Sequence, residues 1–518
     1  MRFLQAFLAL LPSAILHPSN LSISDNVQPV LRVAACLGII GAISWVCLFK
    51  SKRRFPLPPS PPTWRLRGHF LPPRGSFLTI AGWIDEYGPL ITIRSRVENI
   101  VIIGRYKAVV DIMETQGKLL ADRPPAGEIF GGGISVAAFG ERFRRMRRAL
   151  HTHLQPKAAE AYQPLQMSHA KKTVLDILDD PYNFQNHVKT YAATTIMKIA
   201  YGKSVPTSAT DPEVIEIAKL VRIVGGMLHP GAYLVNSIPW LKYLPWYGQD
   251  VKRGFERGMK LNVGQLNRVK EQMSNVDIGP SFAKYMLEST DRFGLTETDV
   301  AGLAGAFFGA GSTTTSAAIC TVLMAAACFP EEQAIVQAEL DAVIGKHRAP
   351  TFADQESLPR LQAFISEALR WRPLTPNGLA HRTTKDVIWE NYCIPAGTTV
   401  FGNHWAISRD PEVYPEPHAF KPQRWIDDQG RLRDDLKFFV FGFGRRVCAG
   451  QHVANRSVFI NSLLILWAFR LTLDPTKPFD DMGFITRQIS KRPSAIEFET
   501  RIPDTEIRRM MQNYPEVA

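Results

Sequence analysis

The chain has 518 residues, 45% apolar, 21% charged and 10% aromatic, a composition that can bury a large core and excludes global disorder, collagen-like repeats and a small disulfide scaffold. Its six cysteines (Cys36, Cys47, Cys320, Cys328, Cys393, Cys448) are scattered and show no zinc-type spacing, which indicates reduced thiols. Of the formal net charge of +13, +8 lies in residues 1–75, where nine basic side chains face the single acid Asp25. An excess gathered beside an apolar segment argues for membrane topology and against nucleic-acid binding.

Residues 3–16 form a short apolar run interrupted by Gln5 and Pro12, either a short membrane helix or an interfacial one. Residues 33–49 carry no charge, and Arg32 can snorkel, so a transmembrane anchor is expected at 30–49. The run is too long and too far from the start for a cleaved signal peptide. Lys50, Lys52, Arg53 and Arg54 follow it and place everything downstream on the cytoplasmic side of a single-pass membrane protein. Asn20-Leu21-Ser22 is a glycosylation sequon that matters only if residues 1–29 are lumenal. Seven prolines between Pro56 and Pro73 read as a semi-rigid spacer. The expected division is thus 1–29 lumenal or membrane-associated, 30–49 anchor, 50–76 basic stop and proline-rich linker, and 77–518 one folded body.

Helical patterning dominates that body, at residues 141–155, 165–179, 186–202, 213–228, 249–274, 296–328, 330–344, 358–371 and 449–468. Strand alternation is confined to 89–93, 99–103, 387–400 and 495–499. The fold class is mainly α (α+β), a large helical block with a small sheet. Residues 301–330 carry no charge and include the GxxxG Gly305…Gly309, which by hydropathy fits a membrane helix with a dimerisation face. The polar run Ser312-Thr313-Thr314-Thr315 favours a helix buried on all sides instead.

Phe441-Gly442-Phe443-Gly444-Arg445-Arg446-Val447-Cys448-Ala449-Gly450 carries the chemistry. Its glycines let backbone pass close to a bulky planar group. Cys448 precedes a helix, whose positive end and free N–H groups favour the thiolate, the metal-binding form. Arg446 can give a charge-assisted bond to an anionic group at a cofactor edge.

This stretch matches FxxGxRxCxG, and the chain resembles the cytochrome P-450 family of haem-thiolate monooxygenases, fungal microsomal type, over almost all of residues 57–500. The resemblance implies haem b with Cys448 as axial ligand and Phe441, Arg446 and Gly450 around it. Glu367-Ala368-Leu369-Arg370 is similar to the family's ExxR, and Pro422-Gln423-Arg424-Trp425 to its PxRF/W element. Together they imply a structural Glu367–Arg370–Arg424 cluster that holds the cysteine loop. Ala310-Gly311-Ser312-Thr313-Thr314-Thr315 resembles AGx(D/E)TT, with Ala310 and Gly311 opening a dioxygen groove and Thr314 assisting proton delivery. Thr313 stands where the family has an acid, which leaves protons to hydroxyls, water or an acid from elsewhere. Arg147, with Phe143 in place of the usual Trp, and His381 fall at propionate-contacting positions. Arg142, Arg144, Arg145 and Arg148 make either a solvated face or a reductase-docking one.

By the same resemblance, residues 126–138, 224–246, Ala306, Phe307, 377–379 and 483–485 line the substrate region. Residues 238–246 mix aromatics with Lys242, a composition suited to a membrane interface. The expectation is an oxidoreductase of the endoplasmic reticulum membrane that hydroxylates an apolar small molecule, a terpenoid or polyketide intermediate of secondary metabolism. Electrons would come from NADPH through a separate flavin-bearing reductase, with cytochrome b5 as an optional second donor. A P-450-fold isomerase or dehydratase acting without dioxygen is the alternative; a haem sensor without turnover has no supporting feature.

Overall fold

The computed structural model describes residues 55–515 apart from 66–67, 73–74, 96–97, 276–278, 478 and 483–494, together with four single positions between 34 and 41. The sequon, the short apolar run and nearly all of the expected anchor therefore lie outside the described residues, as does the expected substrate segment 483–485. The chain divides into two compact units, Met1–Pro56 and Leu57–Ala518, and the second carries everything described below.

Every helical segment read from the sequence forms a helix. In chain order the longer ones are α1 (Ser76–Tyr87), α2 (Glu141–Leu154), α3 (Gln163–Asp179), α4 (Phe184–Tyr201), α5 (Pro212–Met227), α6 (Gln249–Asn275), α7 (Glu297–Cys328), α8 (Pro330–Val343), α9 (Pro359–Trp371), α10 (Gln451–Ala468) and α11 (Asp504–Gln512). The terminal pair α1 and α11 was not read from the sequence. α1 mixes Thr, Gly and three aromatics, so its buried stripe of Phe77, Ile80 and Ile84 is helical only by spacing.

The strands are β1 (Leu90–Ser95), β2 (Glu98–Ile103), β3 (His381–Arg382), β4 (Val387–Trp389), β5 (Tyr392–Ile394), β6 (Thr399–Gly402), β7 (Phe469–Leu473) and β8 (Ile496–Thr500). They make one four-stranded sheet in the order β1-β2-β6-β3 and the two-stranded pairs β4-β5 and β7-β8. β2 runs parallel to β6, with Val101 opposite Val400, which brings together segments about 300 positions apart. The proline-rich segment is docked against this sheet: Thr92 N–H bonds Pro59 O at 2.7 Å, and Thr92 Oγ1 bonds Pro58 O at 2.9 Å.

α7 is the central element, packed on α4, α5, α6, α9 and α10. A capping box starts it, with Asp299 N–H on Thr296 Oγ1 at 3.1 Å and Thr296 N–H on Asp299 Oδ2 at 3.2 Å. It is the one described helix long and apolar enough to cross a membrane, yet 72% of its most apolar stretch is buried in the protein. Its glycines explain why. A β-carbon on Gly305 would lie about 2 Å from the Asn262 amide of α6, and one on Gly309 would lie 3.0 Å from Val221 of α5. The GxxxG is used for packing inside one molecule, which overturns the membrane-helix reading of 301–330.

Candidate active site

The Cys448 loop is shaped by its own backbone. Cys448 N–H bonds Phe441 O at 2.9 Å, closing the loop on itself before Gly450 caps α10. Gly442 and Gly444 have φ of +80° and +50°, in the left-handed region that side chains other than glycine avoid. A β-carbon on Gly444 would also lie 2.5 Å from the Met113 carbonyl oxygen. The thiol opens into a cavity of about 290 Å³. Burial pushes its pKa up, opposed by the Gly450 N–H and by Arg147. A bound metal, which deprotonates a coordinating thiol, would favour the thiolate there.

Phe441, Arg446 and Gly450 line this cavity beside Cys448, and so do Arg147 and Arg123. Among the described residues no carboxylate lines it. Burial lowers the pKa of all three guanidiniums, that of Arg123 to about 9 and that of Arg446 to about 10. Arg446 bonds the carbonyls of Ala121 (2.6 Å) and Ala137 (2.7 Å), and its guanidinium carbon lies 3.8 Å from the Phe143 ring centre. Arg123 bonds the carbonyls of Ser135 (3.0 Å) and Ala380. Arg147 makes no hydrogen bond among the described residues. An apolar chamber lined by a thiol and by three buried cations suits a planar apolar macrocycle with anionic edge groups. The donor set fits haem.

His381 sits behind this wall and does not line the cavity. It is buried, its Nδ1 bonds Leu120 O at 2.8 Å, and burial together with nearby Arg123 holds its pKa far below the usual histidine value. Arg123 occupies the cationic place that the sequence reading missed. Its only local signal was a basic residue before two prolines and a glycine-rich loop.

α7 contributes Ala306, Phe307, Ala310, Gly311, Thr314 and Thr315 to the lining. Thr314 Oγ1 bonds Ala310 O one turn back at 2.8 Å, and Thr313 does not line the cavity. A β-carbon on Gly311 would lie 2.5 Å from Ile196 Cγ1, so glycine there permits α4 to approach as well as opening space. Ile134, Ser135, Leu150, Ile196 and Leu379 complete the apolar walls. From residues 224–246, expected near the substrate, none lines the cavity; that segment packs instead with Ala126 and Phe130 of the 126–138 loop.

Glu367 and Arg370 are fully buried on α9. Arg370 Nε and one terminal nitrogen each bond Glu367 at 2.7 Å, and Arg424 Nε bonds it at 3.2 Å. The Lys421 N–H (2.8 Å) and the Trp425 indole N–H (2.9 Å) fill the remaining acceptor sites. Arg370 continues to the carbonyls of Ser408 and Pro417, tying α9 to the segment that leads into the cysteine loop. The four basic residues on the outer face of α2 are partnered: Arg142 with Asp299, Arg144 and Arg148 with Glu141, and Arg145 with the Gly294 carbonyl.

Comparison with known proteins agrees with this geometry. The profile of the family described as Cytochrome P450 matches residues 58–499. The chain is 46% identical over 485 residues to cytochrome P450 monooxygenase 113 of Postia placenta, covering 92% of this chain and 98% of the relative. It is 47% identical over 456 residues to cytochrome P450 monooxygenase 64 of the same fungus, covering 87% and 92%. Against cytochrome P450 monooxygenase criE of Aspergillus cristatus it is 31% identical over 506 residues, covering 95% and 92%. The chain therefore belongs to the cytochrome P450 family of haem-thiolate monooxygenases.

Proposed function

We propose that this monooxygenase inserts one atom of dioxygen into a C–H bond of an apolar small molecule, a terpenoid or polyketide intermediate of secondary metabolism. The other atom leaves as water, with two electrons from NADPH passed on by a separate reductase. The observation that carries the reading is the cavity itself: an open thiol, an apolar surround and buried cations in one chamber. Haem held there would supply dioxygen activation, which a thiolate ligand from Cys448 would promote by donating electron density.

The chain's own residues do the rest. Cys448 provides the thiolate. Arg123, Arg147 and Arg446 neutralise the carboxylates of the cofactor, with His381 supporting them from behind. Ile134, Ile196, Ala306, Phe307 and Leu379 hold an apolar substrate and keep out water, and the Thr314 hydroxyl, its own proton given to Ala310 O, offers a hydrogen-bond acceptor at the cavity wall. Glu367, Arg370 and Arg424 keep the cysteine loop in shape.

Residues 30–49 anchor the enzyme in the endoplasmic reticulum membrane with the body cytosolic. Exposed Trp240, Tyr243 and Trp246 beside Lys242 suit contact with the same bilayer, the route by which an apolar substrate arrives. Product analysis of membranes carrying the enzyme and reductase, fed candidate terpenes and polyketides, tests the reading. Oxygenated product that requires NADPH supports it. Conversion without NADPH moves the protein to the isomerase or dehydratase class, a reading favoured by Thr313 standing where the family has an acid.

A further inference from the structure

The turn that leads to Cys448 is gripped from a second side, by a segment outside every motif. Val110–Thr115 is a π-helical turn, a rare geometry found frequently at functional sites. Asp111 anchors it, bonded by Lys107 Nζ at 2.6 Å and Trp389 Nε1 at 3.0 Å. From its last residues, and from Gly117 just beyond, three groups reach the cysteine loop. Glu114 Oε1 accepts the Gly444 N–H at 2.8 Å. The Met113 carbonyl and Gly117 press on the Gly444 α-carbon: a β-carbon on Gly117 would lie 2.4 Å from Met113 O and 3.3 Å from Gly444 Cα. Both glycines are needed for this approach.

Gly444 opens the 3-10 turn Gly444–Arg446, in which Arg446 N–H and Val447 N–H bond back to the Phe443 and Gly444 carbonyls. The first N–H of such a turn has no partner within it. Glu114 fills that vacancy with a charge-assisted bond.

We propose that Glu114 is a positioning residue for Cys448: by holding the Gly444 N–H it fixes the turn from which the cysteine emerges, and so sets how firmly the thiolate stays on iron. The proposal rests on Cys448 being the iron ligand. It makes the 110–117 segment a second brace, one that shares no hydrogen bond with the Glu367 cluster.

The test uses the full-length holoenzyme as wild type, Glu114→Ala, Glu114→Gln and Glu339→Ala. Glu339 is a control of the same kind, a carboxylate that bonds the Arg360 and Leu361 N–H groups away from the loop. The readouts are the melting temperature and the rate at which the reduced, carbon-monoxide-bound protein loses its thiolate-type Soret band in dilute urea. Glu114→Ala should speed that loss about 10-fold, the low end for outer partners of a metal ligand because the bond is exposed. Glu114→Gln, whose amide oxygen still accepts, should stay within about threefold. Glu339→Ala should lower the melting temperature without changing the rate. Wild-type kinetics in Glu114→Ala, or equal acceleration in Glu339→Ala, would overturn the proposal. A thiolate band that survived Cys448→Ser would instead remove the ligand assignment on which it rests.

Discussion

The indole N–H of Trp425 donates to Glu367 Oε2 at 2.9 Å, completing a shell of five donors around one fully buried carboxylate. Such a carboxylate is tolerable only while its donors stay in place. Glu367→Ala leaves two arginines facing each other without an anion and should cost about 3–5 kcal/mol, with loss of haem on purification. Trp425→Phe removes one bond to a charged group and should cost about 2 kcal/mol. Urea melts of the purified variants decide it, and an equal cost for both would contradict a charge-centred cluster.

A second prediction concerns the packing of α7. Alanine at Gly311 drives a methyl into Ile196, and overpacking of this kind typically costs about 1–3 kcal/mol. Ile196→Ala, which removes the Cγ1 and Cδ1 that the methyl would meet, should alone cost about 2–5 kcal/mol. If the clash is the whole effect, the double variant should be more stable than the sum of the singles predicts. Strict additivity in a double-mutant cycle would show that Gly311 acts some other way.

Local spacing explains what could be read from the sequence. The cysteine loop, the Glu367–Arg370 pair and the α7 hydroxyls each lie within ten residues, so their geometry follows from one turn or one helix. Arg123 and Glu114 were illegible for the opposite reason. Arg123 bonds Ala380, 257 positions away, and Glu114 bonds Gly444, 330 positions away. Only the parallel pairing of β2 with β6 and the packing of the π-helical turn bring such partners together.

Acid sensitivity follows from buried histidines. His404 lies on the segment after β6, with Nδ1 3.1 Å from Thr375 Oγ1 and its ring 5.1 Å from that of Phe443 in the cysteine loop. Burial lowers its pKa from 6.5 to about 4. Between these values the unfolded chain binds a proton that the folded protein refuses. The stability is therefore full above pH 6.5 and is lost as pH falls toward 4, by about 3 kcal/mol for this group. His404→Phe should flatten the fall in stability between pH 7 and pH 5 in urea melts. His169, also lowered to about 4, should keep part of the slope. An unchanged slope in His404→Phe would mean that His404 is already charged in the fold.

The last prediction separates the two adjacent threonines of α7. Successive helical residues point about 100° apart, so only one of them can face the cavity squarely. That one is Thr314, whose hydroxyl bonds Ala310 O and so keeps a lone pair for a group in the cavity. Thr313 stands off the cavity wall, and its carbonyl accepts from Ser316 Oγ at 3.0 Å. Positioned assistance to proton transfer is typically worth about 10²–10⁴ in rate, and its loss should appear as wasted electrons before it appears as lost binding. Thr314→Ala should therefore lower product formed per NADPH oxidised and raise peroxide, while substrate binding and the thiolate-type Soret band survive. Thr313→Ala should leave coupling near wild type, and Thr313→Asp, which places the family's usual acid away from the wall, should restore little to the Thr314→Ala background. Unchanged coupling in Thr314→Ala would remove the hydroxyl from oxygen chemistry. Strong uncoupling by Thr313→Ala alone would mean that α7 turns its Thr313 face to the cavity in the working enzyme.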